Sequence, residues 1–228
     1  MRTLMPILIT AILTSMLQGC ASVIVGGTAA GVSVAHDRRS TGTLVEDQEI
    51  ELRFFNFKQQ NPEFFENSDI SSTSYNRRVL LSGSAASRTV MDRAIQFIRN
   101  LPGVRLVINE IEIIPAGNIK DTLNDSYINT QIKLALFKIK LEDFDPTRVK
   151  VTTYNRSVYL MGLVSSAEGR AAAEKARYIK GVKRVVKHFE YISASQQASS
   201  APRSQSSGGT TTYAVKPKPT EPANPFIQ

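Results

Sequence analysis

The sequence has few of the residues that catalytic, metal and disulfide chemistry use most. Its 228 residues include one cysteine, two histidines and no tryptophan. The single cysteine, Cys20, excludes an intramolecular disulfide. His36 and His188 cannot form a metal-binding pair at helical i, i+4 spacing, and neither lies in a nucleophile motif. We therefore expect no enzyme activity, no catalytic residues, no cofactor and no metal site.

Long apolar runs are also scarce, and the one near the start is too short to cross a bilayer. Residues 4–17 are mostly apolar and lead into Leu17-Gln18-Gly19-Cys20. About 14 apolar residues suit a signal peptide, whereas a spanning helix needs about 20. Leucine at −3 and glycine at −1 resemble a bacterial lipobox. This predicts a lipoprotein signal peptide in residues 1–19 and a lipid attached to Cys20.

Positive charge is concentrated in the second half of the chain. Residues 44–114 contain 8 basic and 10 acidic residues, a net charge of −2, whereas residues 125–192 contain 13 and 7, a net charge of +6. Such a surplus attracts the phosphates of nucleic acids or anionic lipids. Because the signal peptide predicts export, we expect an anionic phospholipid membrane as the partner. Nucleic acid and a small-molecule substrate are not expected.

An internal repeat defines the domain organisation. Residues 73–83, TSYNRRVLLSG, match residues 152–162, TTYNRSVYLMG, at an offset of 79. Asp47 matches Asp125 at an offset of 78. The repeat predicts a first domain in residues 44–114, a linker in 115–124 and a second domain in 125–192. Residues 20–43 are predicted to be a lipidated stalk, and the polar residues 193–228 a disordered tail.

Each copy predicts the element order αββαβ, an α+β fold whose helices cover one face of a small mixed sheet. In both copies an Asn-Arg pair lies between two alternating strands and predicts a tight turn there. Asp47 and Asp125 are interpreted as caps of the first helices. The predicted helices are 47–58, 87–100, 125–140 and 166–180, and the predicted last strands are 104–114 and 182–192.

The first helix of the second copy has apolar residues on two sides. At 100° per residue, one stripe contains Ile128, Ile132, Ala135, Leu136 and Ile139, and this stripe is expected to pack on the core. The opposite side, called the basic face here, consists of Tyr127, Lys133, Leu134, Phe137 and Lys138. A helix of this kind can lie in a membrane interface, with apolar side chains among the headgroups and lysines near anionic phosphates.

The first copy serves as an internal comparison. The residues matching the basic face are Glu49, Phe55, Asn56, Gln59 and Gln60, which carry no positive charge. Membrane binding is therefore predicted for the second copy alone. The other interpretation, that the apolar residues pack against another domain or a protein partner, stays open, because exposed apolar patches mark both kinds of interface.

Several segments together resemble one family. They are the lipobox, residues 39–43 (RSTGT), residues 125–128 (DSYI), residues 158–164 (VYLMGLV) and residues 181–185 (GVKRV). In sequence and repeat order they resemble the lipoproteins of the outer membrane that carry two BON domains. The resemblance implies a periplasm-facing lipoprotein that binds anionic phospholipid through its second BON domain and supports outer-membrane integrity. Tyr127 occupies a position where this family commonly has tryptophan.

A protein-binding role is the alternative function. In this alternative the same helix binds an envelope assembly machine or a cell-wall enzyme, and the long polar tail is compatible with such a scaffold. The sequence does not decide between a lipid and an envelope protein as the partner.

Overall fold

The computed structural model describes residues 37–117 and 119–193, and it confirms an αββαβ order that occurs twice. The signal peptide, residues 20–36 of the predicted stalk, which include Cys20, and all but the first residue of the tail lie outside these residues. The elements of the first domain are α1 (Thr41–Gln60), β1 (Asp69–Tyr75), β2 (Arg78–Ser84), α2 (Arg88–Arg99) and β3 (Leu106–Glu112). Those of the second are α3 (Ile119–Leu136), β4 (Val149–Tyr154), β5 (Ser157–Val164), α4 (Ser166–Arg177) and β6 (Arg184–Tyr191).

Both domains contain a three-stranded mixed sheet. In the first sheet β2 is central, pairing antiparallel with β1 and parallel with β3. The second sheet repeats this arrangement with β5 between β4 and β6. The predicted hairpins are confirmed, since the Asn-Arg pairs form two-residue turns in which all four residues have positive φ angles.

Asp47 and Asp125 are not helix caps, and this part of the prediction is wrong. The helices α1 and α3 both begin six residues earlier, at Thr41 and Ile119, and Ser40 caps α1. The two aspartates instead lie buried within the helices and point at the hairpin turns. The carboxylate of Asp125 accepts hydrogen bonds from the backbone N–H groups of Asn155 and Arg156, at 2.6 and 2.8 Å.

The end of α3 also differs from the prediction. The helix ends at Leu136, not at residue 140, and a turn follows in which the N–H groups of Lys138 and Ile139 bond the carbonyls of Ala135 and Leu136. Ile139 packs on the core from this turn. The rest of the buried stripe packs on the same core from α3 itself. Phe137 and Lys138 therefore lie in a turn directly after the helix.

The helices pack on one face of each sheet, and each domain has its own core there. In the first domain this core includes Phe54 of α1, Ile98 of α2 and Val79 of β2. In the second it includes Ile132 of α3 and Leu160 of β5. At the start of α4, Ser165 and Glu168 form a capping box.

The other faces of the two sheets pack against each other. Tyr75 and Leu80 of the first domain form a third apolar cluster with Tyr159 and Met161 of the second. All four side chains are nearly completely buried. The molecule is therefore a four-layer sandwich, helices–sheet–sheet–helices, with an interface between the domains that the repeat alone did not predict.

Polar contacts around this interface follow an approximate twofold symmetry. The Asn76 amide donates to the Glu190 carboxylate at 3.1 Å, and the equivalent Asn155 donates to Glu112 at 3.4 Å. The hydroxyls of Thr73 and Thr152, equivalent residues of the two copies, meet at 3.1 Å. The two copies thus use the same surface to bind each other.

The segment before α1 joins the two domains. The Arg38 guanidinium donates to both carboxylate oxygens of Glu168, at 2.7 and 3.0 Å, and to the carbonyl of Leu163 at 3.0 Å. Burial would raise the pKa of Glu168, but hydrogen bonds from Arg38 and from the Ser165 N–H lower it below its ordinary value. The chain leading into the first domain is thereby attached to the second.

Candidate membrane-facing surface

The apolar side chains of the basic face are exposed. Tyr127 is 59% exposed, Leu134 53% and Phe137 69%, and Lys133 and Lys138 are exposed as well. The face lies opposite the buried stripe of α3, as its periodicity predicted. None of these side chains is needed to close the core of the second domain, so all are accessible to a partner.

Two further residues extend the basic face toward the start of α3. Leu123 is 66% exposed and lies one helical turn before Tyr127. Lys120 is also exposed and lies two helical turns before Tyr127. The sequence pattern indicated neither residue, because Asp125 before the apolar stripe has the pattern of a helix start. The i, i+4 spacing of Leu123 and Tyr127 was the signal that could have identified the longer face.

The matching side of α1 is apolar but lacks free lysines. Val45, Leu52 and Phe55 are each more than half exposed, although Phe55 is the one apolar residue among the positions that match the basic face. The one lysine of α1, Lys58, donates to the carbonyl of Ile70 at 2.5 Å, and burial lowers its pKa although Asp69 opposes this. The two helices therefore differ in charge more than in apolar exposure.

A groove adjoins the basic face where the two domains meet. Its volume is about 400 Å³, and residues of both domains line it, including Tyr75, Lys133, Phe137 and Lys150. The Arg39 guanidinium, which also lines it, lies 3.8 Å from the centre of the Tyr75 ring. Burial raises the pKa of Tyr75 to about 12, so its side chain stays neutral. We call this space the interdomain groove.

Ionisable residues near the domain interface contact one another. His188 contacts the Glu110 carboxylate at 3.1 Å, and Arg184 lies 3.6 Å from both Glu110 and Glu112. Burial lowers the pKa of His188, Glu110 opposes this, and Arg78 adds to it. Within residues 37–117 and 119–193 there is no cluster of three side chains that could hold a metal ion. No helix there is long and apolar enough to cross a bilayer.

Comparisons with known proteins agree with the repeat. The chain is 35% identical to outer membrane lipoprotein DolP of Haemophilus influenzae over 196 residues, 83% of this chain and 99% of the relative. It is 34% identical to a 21 kDa hemolysin of Actinobacillus pleuropneumoniae, covering 68% of this chain and 79% of the relative. It is 28% identical to osmotically-inducible protein Y of Escherichia coli, covering 68% and 78%.

The family model of the BON domain matches this chain twice. The matches cover residues 47–115 and 124–193, which together are more than half of the sequence. Each match contains most of one αββαβ unit and the hairpin that its buried aspartate holds. The chain is a DolP-like protein with two BON domains and belongs to the BON-domain family.

Proposed function

We propose that this protein is a lipoprotein of the outer membrane that faces the periplasm, binds anionic phospholipid through its basic face and supports outer-membrane integrity. The observation that carries the proposal is the exposure of Tyr127, Leu134 and Phe137 next to two exposed lysines. The name of the Haemophilus relative and the lipobox at Cys20 support the location.

The apolar and cationic residues of the basic face have separate roles in binding. Tyr127, Leu134 and Phe137 enter the boundary between headgroups and acyl chains, where their apolar surface leaves water. Lys133 and Lys138 remain at headgroup level, and each lysine near an anionic surface contributes about 1 kcal/mol. The apolar residues therefore supply insertion, and the lysines supply the preference for anionic lipid.

Because a lipid on Cys20 retains the protein at the membrane, a weak affinity of the basic face for lipid is sufficient. A tether converts the binding of the domain into an intramolecular step with a high effective concentration. The segment that follows the tether is attached to the second domain through Arg38 and Glu168. The basic face then orients the protein on the membrane and need not retain it there.

The alternative function is a protein-binding scaffold. Its specific support is the exposed apolar side of α1, formed by Val45, Leu52 and Phe55, which has no free lysine and resembles a protein interface more than a lipid-binding one. In this alternative the basic face also binds an envelope protein.

Vesicle co-sedimentation tests the proposal. The chain from residue 20, with Cys20→Ser, is expected to sediment with vesicles of phosphatidylglycerol and phosphatidylcholine and much less with phosphatidylcholine alone. Tyr127→Ala combined with Lys133→Glu is expected to abolish most of this difference. The matched control is Glu49→Ala with Phe55→Glu at the equivalent positions of α1, and it should sediment normally. Equal sedimentation with both kinds of vesicle, unaffected by the first pair, would contradict the binding of anionic phospholipid through the basic face.

Crosslinking in intact cells separates the two functions. A photoreactive residue in place of Tyr127 is expected to give lipid adducts in the outer membrane. The same residue in place of Leu52 on α1 is the comparison. A dominant protein adduct at position 127 would favour the scaffold over the lipid-binding function.

A further inference from the structure

The interdomain groove has apolar walls next to cations. Phe137 of the basic face lines it, and so do Leu136 of α3 and Val149 and Val151 of β4. Lys133, Lys150 and Arg39 are its cationic residues. Its volume of about 400 Å³ lies in the range of small-ligand sites, roughly 300–1,000 Å³. A site of this composition suits a molecule with an anionic head and an apolar chain.

The three cations are not equally available to a ligand. Arg39 is paired with Asp37 and Asp47, so its charge is compensated. Lys150 is partly occupied, because its ammonium group donates to the Glu51 carboxylate at 2.6 Å and to the Ser74 carbonyl at 3.2 Å, but the side chain remains partly exposed. Lys133 has no hydrogen-bond or ion-pair partner among residues 37–117 and 119–193. An incoming phosphate therefore has one free ammonium group and a second that can bridge it to Glu51.

The repeat shows that these cations are particular to one side of the molecule. The positions equivalent to Arg39 and Lys133, at an offset of 78, are Gly117 and Phe55. The position equivalent to Lys150, at an offset of 79, is Ser71. Three cations therefore surround the groove, and none of the three positions equivalent to them in the repeat carries a positive charge. The architecture of a BON domain does not require these charges.

We propose that the interdomain groove binds the phosphate and the adjoining acyl segment of a single anionic phospholipid. The phosphate lies between Lys133 and Lys150, and the acyl segment packs against the exposed ring of Phe137, with the nearly buried Leu136, Val149 and Val151 at the base of the groove. A whole phospholipid with two chains exceeds the groove, so the remainder stays in the bilayer. The inference rests on the proposed membrane contact, because Lys133 and Phe137 belong to both the basic face and the groove.

Calorimetric titration with a monomeric lipid tests the groove apart from the membrane. The chain from residue 20 with Cys20→Ser is titrated with lysophosphatidylglycerol below its critical micelle concentration. We expect saturable binding of one molecule per chain, at least about tenfold tighter than binding of glycerol 3-phosphate. Lysophosphatidylcholine, which has the chain without the net charge, should bind about tenfold more weakly as well.

Variants on either side of Lys133 separate the two sites. Lys150→Gln removes a groove charge, and Thr147→Trp fills the groove from an exposed position. Each should weaken lysophosphatidylglycerol binding at least about tenfold while vesicle sedimentation is maintained. Lys138→Gln, outside the groove, should show the opposite pattern. The thermal unfolding midpoint of each variant verifies that it folds.

Four results would overturn the proposal for the groove. They are no saturable binding of the monomeric lipid, equal affinity for glycerol 3-phosphate, equal affinity for lysophosphatidylcholine, and normal binding by both groove variants. Equal affinity for glycerol 3-phosphate would indicate a phosphate site that does not use the apolar walls. Any of these results together with normal vesicle binding leaves the proposed function standing. Monomer binding without vesicle binding supports the groove and contradicts membrane docking.

Discussion

At the scale of single residues, the buried aspartates of the first helices explain how both hairpins keep an unusual turn. The carboxylate of Asp47 accepts bonds from the N–H groups of Asn76 and Arg77, both at 2.8 Å, and Asp125 does the same in the second domain. A positive φ angle is unfavourable for arginine, since its side chain crowds the backbone. The carboxylate stabilises this turn because it satisfies both N–H groups with charge-assisted bonds.

Asp125→Ala is therefore expected to lower the free energy of unfolding by about 3 kcal/mol or more, because two bonds to a charged acceptor are lost inside the protein. Asp47→Ala should cost more, since Asp47 also binds Ser74 and Arg39. Urea unfolding measures both. The exposed Asp92→Ala is the control and should change stability by less than about 0.5 kcal/mol. A loss below about 1 kcal/mol for Asp125→Ala would contradict the role of its carboxylate.

His188 makes stability depend on pH. Because burial lowers its pKa in the folded protein, the unfolded chain binds a proton more readily below its ordinary pKa of about 6.5. The free energy of unfolding should consequently decrease as the pH falls from about 7.5 to about 5.5. His188→Gln should flatten this dependence, as measured by urea unfolding across the range. An unchanged slope in the variant would assign the effect to other groups.

At the scale of elements, α3 and α1 show how a duplicated helix can acquire a different surface. Both helices pack one side on a core and expose apolar residues on the other, but only α3 and its following turn expose lysines there. Tyr127 lies near the middle of this surface. Tryptophan and tyrosine both favour the headgroup region, and tryptophan has the larger apolar ring.

Tyr127→Trp is accordingly expected to tighten binding to anionic vesicles roughly two- to fivefold, because a larger ring enters the interface. Sedimentation over a lipid titration gives the ratio. Glu49→Trp, the equivalent change on α1, should leave vesicle affinity within a factor of about two of the original. A similar gain at both positions would indicate a general effect of added tryptophan and would argue against a specific role for α3.

The elements also show which parts of the structure the sequence could predict. Strands, hairpins and the second helices follow from local patterns, so their positions were confirmed to within a few residues. The starts of α1 and α3 were missed because an aspartate before an apolar stripe has the pattern of a cap. Its true partner is a turn about 30 residues later in sequence, and local rules do not include such contacts.

At the scale of the whole molecule, the interface between the sheets buries side chains of both domains together. The signal for it was present in β5, SVYLMGLV, which is apolar on both sides of the strand. A strand buried on both faces needs a cover on both, and only one face can pack on the helices of its own domain. The pattern therefore indicated that another element covers the second face of β5. Only the structure shows that this element is the sheet of the first domain.

Met161→Lys is expected to separate the domains. Met161 is 1% exposed between the sheets, and burying an unpaired ammonium group there costs several kcal/mol. Calorimetry should show one transition for the original protein and two for the variant, because each domain keeps its own core. Leu52→Lys, at an exposed position on α1, should retain the single transition. A single transition in Met161→Lys at nearly the original temperature would contradict the interface.

The reciprocal Asn–Glu bonds give the two halves of the chain the contact pattern of a symmetric dimer. When residue i of one unit binds residue j of the other, and j binds i in return, the contact has the geometry by which identical subunits form a closed dimer. Within one chain this pairing does not require the two halves to be identical, so their outer sides can differ, as the exposed lysines of α3 and the apolar side of α1 do.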